Sequence, residues 1–258
     1  MTTEANRALL EAIGADLQTR PAVLLATALP TSQLPAESTE ILRAQLDDVD
    51  LKRFSEIQAG GGAIAFLVSR AIVRAVLGGL LGRPAKEVEL LASERGKPGL
   101  ARSPDPPLYF NASHSRTHIL VALSRVGDLG VDVEDTGAVD ERVIRRSLSD
   151  EEYERLAHLD GDERAAAFLR LWTVKEACAK ATGVGIGIGM RTVVATLDGS
   201  GRWRDYLWES LDLGPGLAAA LAIRRPEALA EGPSISLYRH TLNALFGIDP
   251  GFAPEGPG

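Results

Sequence analysis

The chain has 258 residues, 45% hydrophobic and 24% charged, with 28 Lys and Arg against 35 Asp and Glu for a net charge of −7. That is enough for one large domain or two of roughly 100–150 residues, with a core that needs neither disulfides nor metal to fold. The 26 glycines and 14 prolines exclude collagen-like and wholly disordered chains. The acidic balance disfavours a general nucleic-acid or anionic-membrane binder. Cys178 stands alone, so neither an intrachain disulfide nor a Cys-based zinc cage can form.

The first residues are acidic, with no cationic start before an apolar core, and do not read as a secretory signal. A helix over Glu4–Leu17 leads to an apolar strand, Ala22–Ala28, and then to a Pro/Ser/Thr-rich loop, Pro30–Ser38. Thr39–Ile57 carries Leu42, Leu46, Leu51 and Phe54 among charges, which suits one or two short helices. From Ala63 to Leu81 the apolar positions run almost all round, with Arg70 and Arg74 four apart. Two arginines inside Gly60–Gly82 argue against a membrane span and for a central buried helix whose arginines meet something anionic or water. A cytoplasmic protein is the simplest expectation.

Val88–Ala92 reads as a strand before the turn Arg95-Gly96-Lys97-Pro98, and Ser103–Pro107 is another loop. Strands follow at Tyr109–Ser113, His118–Ser124 and Leu129–Glu134, then helices at Asp140–Ser147 and Ser149–Leu159. Ser149 with Glu152 three residues on makes a capping box. Asp162–Lys180 is one long helix ended by Gly183, and the remainder alternates strand and turn: Arg191–Leu197, Trp203–Leu211, Leu217–Arg224 and Ser234–Arg239. Helices and strands without regular alternation predict an α+β fold. A faint echo links HILVALSR, from His118, with GLAAALAIR, from Gly216.

Four segments hold chemistry. In LGVDVE, strand alternation puts Asp132 and Glu134 on one face and Val131 and Val133 on the other. Two carboxylates side by side repel unless a cation lies between them, and hard oxygen donors suit Mg²⁺. Alone, the pattern is more often a solvated strand end. In LWTVKEACAK, Trp172, Glu176 and Lys180 form a stripe at spacing four, with Lys175 on a neighbouring face. Glu176 is a candidate third carboxylate and Lys180 a candidate phosphate ligand, and plain i, i+4 pairing is the alternative. In FNASHS, His114 lies between the hydroxyls of Ser113 and Ser115. In the Gly96-Lys97-Pro98 turn, a glycine lets a ligand ring approach the backbone. No P-loop, nucleophile elbow or H-E-x-x-H helix is present, and GVGIGIGM follows a helix, which is the wrong context for a dinucleotide fingerprint.

In this order, GKP, FNASHS, GVDVE and WTVKEACAKATGVGI resemble the 4′-phosphopantetheinyl transferase superfamily, in its long single-chain Sfp type, which activates peptide and polyketide synthases. The family signature is G-[IV]-D-[IV]-E followed some forty residues later by W-[TS]-x-K-E-[AS]-x-x-K, and the resemblance runs from about Phe54 to Ile186. It implies two pseudo-symmetric α+β halves, 1–128 and 129–248, with a flexible tail at 249–258 and the active site in the cleft between the halves. It implies transfer of 4′-phosphopantetheine from coenzyme A to a serine of an apo acyl or peptidyl carrier protein, with release of 3′,5′-ADP and with Mg²⁺ or Mn²⁺ as cofactor. Carried over by position, Asp132, Glu134 and Glu176 are the metal ligands, and Glu176, Lys180 and Asp132 the catalytic residues. Gly96, Lys97 and Pro98 line the adenine pocket, Ser113 and His114 hold a phosphate, and Lys175, Lys180 and Arg53 complete the coenzyme A contacts. GGGAIAF, Gly60–Phe66, is apolar where the family carries a base for the 3′-phosphate, leaving Lys52, Arg53 and Arg70 as candidates. The resemblance further implies a monomer with no nucleic-acid or membrane partner. Two rivals stay open: a non-catalytic coenzyme A or carrier-protein binding module on the same fold, and a Mg²⁺-dependent phosphodiesterase.

Overall fold

The computed structural model describes residues 4–30, 34–57, 62–224 and 235–249. The chain runs through α1 (Glu4–Thr19), β1 (Ala22–Ala28), α2 (Ala36–Arg43), α3 (Asp48–Ile57) and α4 (Ala63–Leu81). A short hairpin follows, β2 (Leu90–Ala92) and β3 (Pro98–Leu100), then β4 (Tyr109–His114), β5 (His118–Ser124) and β6 (Leu129–Asp135). Next come α5 (Glu141–Ser147), α6 (Asp150–Arg155) and α7 (Gly161–Thr182), followed by β7 (Ser200–Trp203), β8 (Tyr206–Ser210), β9 (Leu217–Arg224), β10 (Ile235–Tyr238) and α8 (Thr241–Phe246). This is the α+β architecture expected.

Two four-stranded sheets, ordered β10-β1-β5-β4 and β6-β9-β8-β7, contain the same unit. In each, a strand (β1 or β6) leads through helices to a hairpin (β4–β5 or β8–β9), whose second strand inserts antiparallel beside the first. The echo between the two small-residue strands falls on the middle strand of each unit, β5 and β9. The repeat is broken at its end. β10 pairs in parallel with β1, and Leu242, Leu245 and Ile248 enter the first half's core, so the close of the expected 129–248 half returns to the first sheet. Residues 250–258 of the expected tail, and Ser234, lie outside the described residues.

Strand alternation builds the layers. Val23, Leu25, Ile119, Val121 and Leu123 face α4 in one core. Leu24, Leu120, Ala122, Val131, Leu221 and Ile223 form a second core between the sheets. Ala218, Ala220 and Ala222 face α7 with Phe168, Val174 and Cys178 in a third. Helix α4 is long and apolar enough by composition to cross a membrane, and its central residues are buried against the first sheet. Arg74, 1% exposed, donates to Asp50 at 2.6 Å and to the Val88 carbonyl at 2.8 Å and also pairs with Asp47, while Arg70 meets Asp50 at 3.4 Å. The anionic partner of the two arginines is the first turn of α3.

The structure corrects the expected elements in six places. Helix α2 begins at Ala36, inside the expected loop, because Pro35 presets an extended entry and its carbonyl accepts the first helical bond from Thr39. Val88 is a buried core residue before β2 rather than part of it. The helix expected to Leu159 ends at Arg155. The expected strand Trp203–Leu211 begins at the end of β7 and contains β8, the two forming a hairpin over Ser200–Ser210 turned at Arg204 with φ 51, and no Gly or Asn announces that turn. Arg191–Leu197 is not a strand, because side chains take its backbone groups. Lys175 donates to the carbonyls of Met190 and Val193, Ala195 N–H donates to Glu152, and the Trp203 indole donates to Thr192. Helix α8 has fewer than two turns and was too short to leave a periodic signal.

Candidate active site

The site is built where β6 passes under α7. Gly130 makes the approach possible: a Cβ there would stand 2.2 Å from the Ala177 carbonyl oxygen and 2.4 Å from the Ala181 nitrogen. Side chains two and four residues on, Asp132 and Glu134, share that face and meet the stripe of Trp172, Glu176 and Lys180 on α7. Helix α7 ends at Gly183, left-handed with φ 71, so Lys180 lies in its last turn. From the other half, β4 contributes Ser113 and His114 to the same cavity of about 330 Å³.

The polar contacts converge on Asp132. Its Oδ1 accepts from Lys180 Nζ at 2.6 Å and from Ser113 Oγ at 2.9 Å, and Ser113 Oγ in turn accepts from Lys180 at 2.8 Å. Its Oδ2 is buried with no partner among the described residues. Burial raises the pKa of Glu176 to about 7; the charges of Asp132 and Glu134 add to the effect and Lys180 opposes it. Burial also raises Glu134, again with Asp132, while Trp172 and Lys180 pull it down. A half-buried carboxylate titrating near neutrality is matched to general-base work. Cys178, on the buried side of α7, has its thiol pushed up to about 12 by burial and offers no thiolate.

A second cavity of about 710 Å³ continues the first along the same elements, with Tyr109 and Phe110 preceding Ser113 on β4 and Ala181 and Thr182 following Lys180 on α7. Lys97 and Pro98 form its opposite wall, while Gly96 shapes the turn behind it. The smaller cavity is lined mostly by polar groups and the larger also by apolar ones.

The structure brings together Asp132, Glu134, Glu176, Lys180, Ser113 and His114, with Lys97 and Pro98 next to them. Three expected ligands line neither cavity: Gly96, whose neighbours Lys97 and Pro98 do, and Lys175 and Arg53. Lys175 is fully buried on another face of α7, paired with Glu152 at 2.7 Å and with the Met190 carbonyl at 3.0 Å, so it holds the 190–195 segment rather than a substrate. Arg53 pairs with Glu56 at 3.3 Å on α3 and lines neither cavity. Of the other 3′-phosphate candidates, Arg70 is held by Asp50 and Lys52 is exposed on α3. Sequence reasoning missed Asn111, whose buried Oδ1 accepts from Val131 N–H at 2.9 Å and so fixes the open edge of β6 one residue before Asp132. An Asn inside a predicted strand, where that residue is disfavoured, was the available signal.

Asp132 Oδ2, orphaned and buried beside Glu134, is an oxygen-only donor set that fits a hard divalent ion. Among the described residues no three His, Cys, Asp or Glu side chains are gathered as a preformed ion cage, while the three expected ligands, Asp132, Glu134 and Glu176, line one cavity. Magnesium ordinarily takes one or two carboxylates and completes its shell with phosphate and water.

A sequence model of the 4′-phosphopantetheinyl transferase superfamily matches residues 128–211, which hold β6 and α7. The 4′-phosphopantetheinyl transferase HetI of a Nostoc species is 34% identical over 161 residues, 61% of this chain and 68% of the relative. The chain belongs to the 4′-phosphopantetheinyl transferase superfamily. The 4′-phosphopantetheinyl transferases psf-1 of Bacillus pumilus and Sfp of Bacillus subtilis are 27% and 26% identical, over 69% and 62% of this chain and 78% and 74% of their own lengths. The protein is accordingly a transferase.

Proposed function

We propose that this cleft moves the 4′-phosphopantetheine group of coenzyme A onto the serine of an apo acyl or peptidyl carrier protein, with Glu176 as general base and Lys180 as the charge-neutralising group. The observation that carries the reading is a carboxyl group titrating near 7 one helical turn from an ammonium that is already hydrogen-bonded to Ser113 and Asp132. The larger cavity suits adenosine, with Pro98 and Phe110 in its wall, and the polar cavity suits the pyrophosphate. Glu176 takes the proton from the serine hydroxyl as its oxygen bonds to the β-phosphorus. The bond from that phosphorus to the bridging oxygen breaks, and 3′,5′-ADP leaves with the electron pair. Lys180 faces the oxygens on which charge grows, and His114 with Ser113 orients a phosphate. Such electrostatic help is the main lever in phosphoryl transfer.

Asp132 and Glu134 would hold Mg²⁺ or Mn²⁺, and when bound the ion supplies positive charge to the pyrophosphate oxygens. Transfer is then expected to stop in excess EDTA and to return with either metal. Full activity with metal-free reagents and chelator would end this assignment.

On the same reading the two halves, with β10 and α8 returned to the first, close the cleft within one chain and the protein works as a monomer, placed in the cytoplasm and acting without membrane or nucleic acid. The test is incubation of apo carrier protein, coenzyme A and enzyme, followed by intact mass and nucleotide analysis. A carrier heavier by one phosphopantetheinyl group, with equimolar 3′,5′-ADP, is expected. Coenzyme A bound with no mass change would favour a binding module, and coenzyme A cleaved without carrier would favour a phosphodiesterase.

A further inference from the structure

We infer that Lys97 is a positioning residue, a clasp whose ammonium fastens the β2–β3 hairpin to the junction of β6 and α7 and thereby sets Lys180, without itself binding coenzyme A. The inference rests on the transfer reading above and adds a role that the cavity wall alone does not reveal.

The β2–β3 hairpin belongs to neither four-stranded sheet, and a two-stranded hairpin is marginal by itself. Leu90 and Leu100 at its base pack on the first half's core, but its tip from Ser93 to Arg95 is exposed. From that tip Lys97 reaches into the second half. Its Nζ donates to the Leu129 carbonyl at 3.1 Å and the Ala181 carbonyl at 3.2 Å, and lies 3.4 Å from Asp128 Oδ1. An ammonium has three donors, and these three acceptors use them all. The Ala181 carbonyl belongs to the last turn of α7, where carbonyls lack helical partners and carry the negative end of the helix dipole. The aliphatic stem passes Gly183, with Cδ 3.7 Å from where a Cβ would stand.

The placement of these acceptors gives the clasp its consequence. Leu129 precedes Gly130, the residue over which α7 makes its closest approach, and Ala181 follows Lys180. One side chain from the first half therefore spans the two segments whose separation fixes Asp132 against Lys180. A lysine kept for a phosphate would present free donors to the cavity. This one is 17% exposed and turned onto backbone carbonyls, and its burial favours the neutral form, opposed by Asp128.

Hydrogen exchange on the enzyme without coenzyme A, comparing wild type with Lys97→Met and Lys97→Arg, reads the clasp directly. Faster exchange in Lys97→Met is expected in residues 93–100 and 179–183, with wild-type protection largely kept by Lys97→Arg, whose guanidinium can meet the same carbonyls. At saturating coenzyme A, Lys97→Met should lower kcat by roughly tenfold or more, the scale of a small displacement of a catalytic group. Unchanged exchange with only KM for coenzyme A raised would overturn the clasp and make Lys97 a direct ligand. If Lys97→Met does not fold, Asp128→Asn serves. A smaller rise in exchange in the same two segments supports the clasp, and none contradicts it. Because exchange is read without substrates, a wild-type enzyme that transfers nothing would sink the transfer reading and leave this result standing.

Discussion

Glu176→Gln is expected to abolish transfer, leave coenzyme A bound and make the protein more stable at pH 8. Gln keeps the shape and helix propensity of Glu, so α7 persists, but it cannot take the serine proton. A loss of roughly 10²–10⁴-fold in single-turnover rate is the scale of a removed general base. The rise in stability follows from the pKa. Burial raises the folded value of Glu176 to about 7 from 4.5, so between those values the folded state binds more protons than the unfolded state. Stability therefore falls as pH rises through that window, and above 7 the ionised group is a net cost. Gln removes this cost, on the order of 1–2 kcal/mol once solvent screening of a half-buried group is allowed for, or a few degrees in Tm. At pH 5, where the folded wild type is already protonated, the two proteins should melt nearly together. Were Glu176 only the helical partner of Lys180, the variant would lose about 0.2–0.5 kcal/mol and keep its rate. Thermal melts in metal-free buffer at both pH values, with transfer and coenzyme A affinity on the same preparation, separate the two accounts.

Gly130→Ala is the second large effect. The added methyl meets two backbone atoms of α7, at 2.2 and 2.4 Å, and neither can rotate away as a side-chain end can. Helix α7 must lift from β6 or β6 must bend, at a cost of about 1–3 kcal/mol or more. Either movement parts Glu176 and Lys180 from Asp132, and a displacement near 1 Å is enough to lower a rate by about 10²-fold. The expected variant is folded, melts several degrees lower and transfers at a few per cent of wild-type rate or less. A variant with wild-type rate and melting temperature would mean that this close approach does not position the site.

Much of this was legible in the sequence because short-range physics writes it there. Strand β1, helix α4 and strand β9 were expected within their observed limits, since each is a long apolar run between turn residues. The Asp132 and Glu134 face followed from strand alternation, and the Glu176 and Lys180 stripe from helical spacing. What escaped depended on distant partners. Lys175 looks like a ligand beside Glu176, yet one residue along a helix is a rotation of about 100°, and that direction holds the buried Glu152. The 191–197 segment has the composition of a strand, but its carbonyls and amides are met by Lys175, Glu152 and Trp203, which no local pattern reveals. The hairpin at Arg204 lacks the glycine or asparagine that marks most such turns. Lys97 showed as a turn residue in a pocket, while its contacts lie 31 to 84 residues away along the chain.

Single-turnover transfer to an apo carrier protein, followed by intact mass at saturating coenzyme A, tests the central assignment most directly when wild type and Glu176→Gln are run side by side. The wild type should convert the carrier to the form bearing one phosphopantetheinyl group, with one 3′,5′-ADP released for each, while the variant leaves it apo over the same interval with coenzyme A still bound. A variant within threefold of the wild-type rate would contradict the assignment of Glu176 as the base.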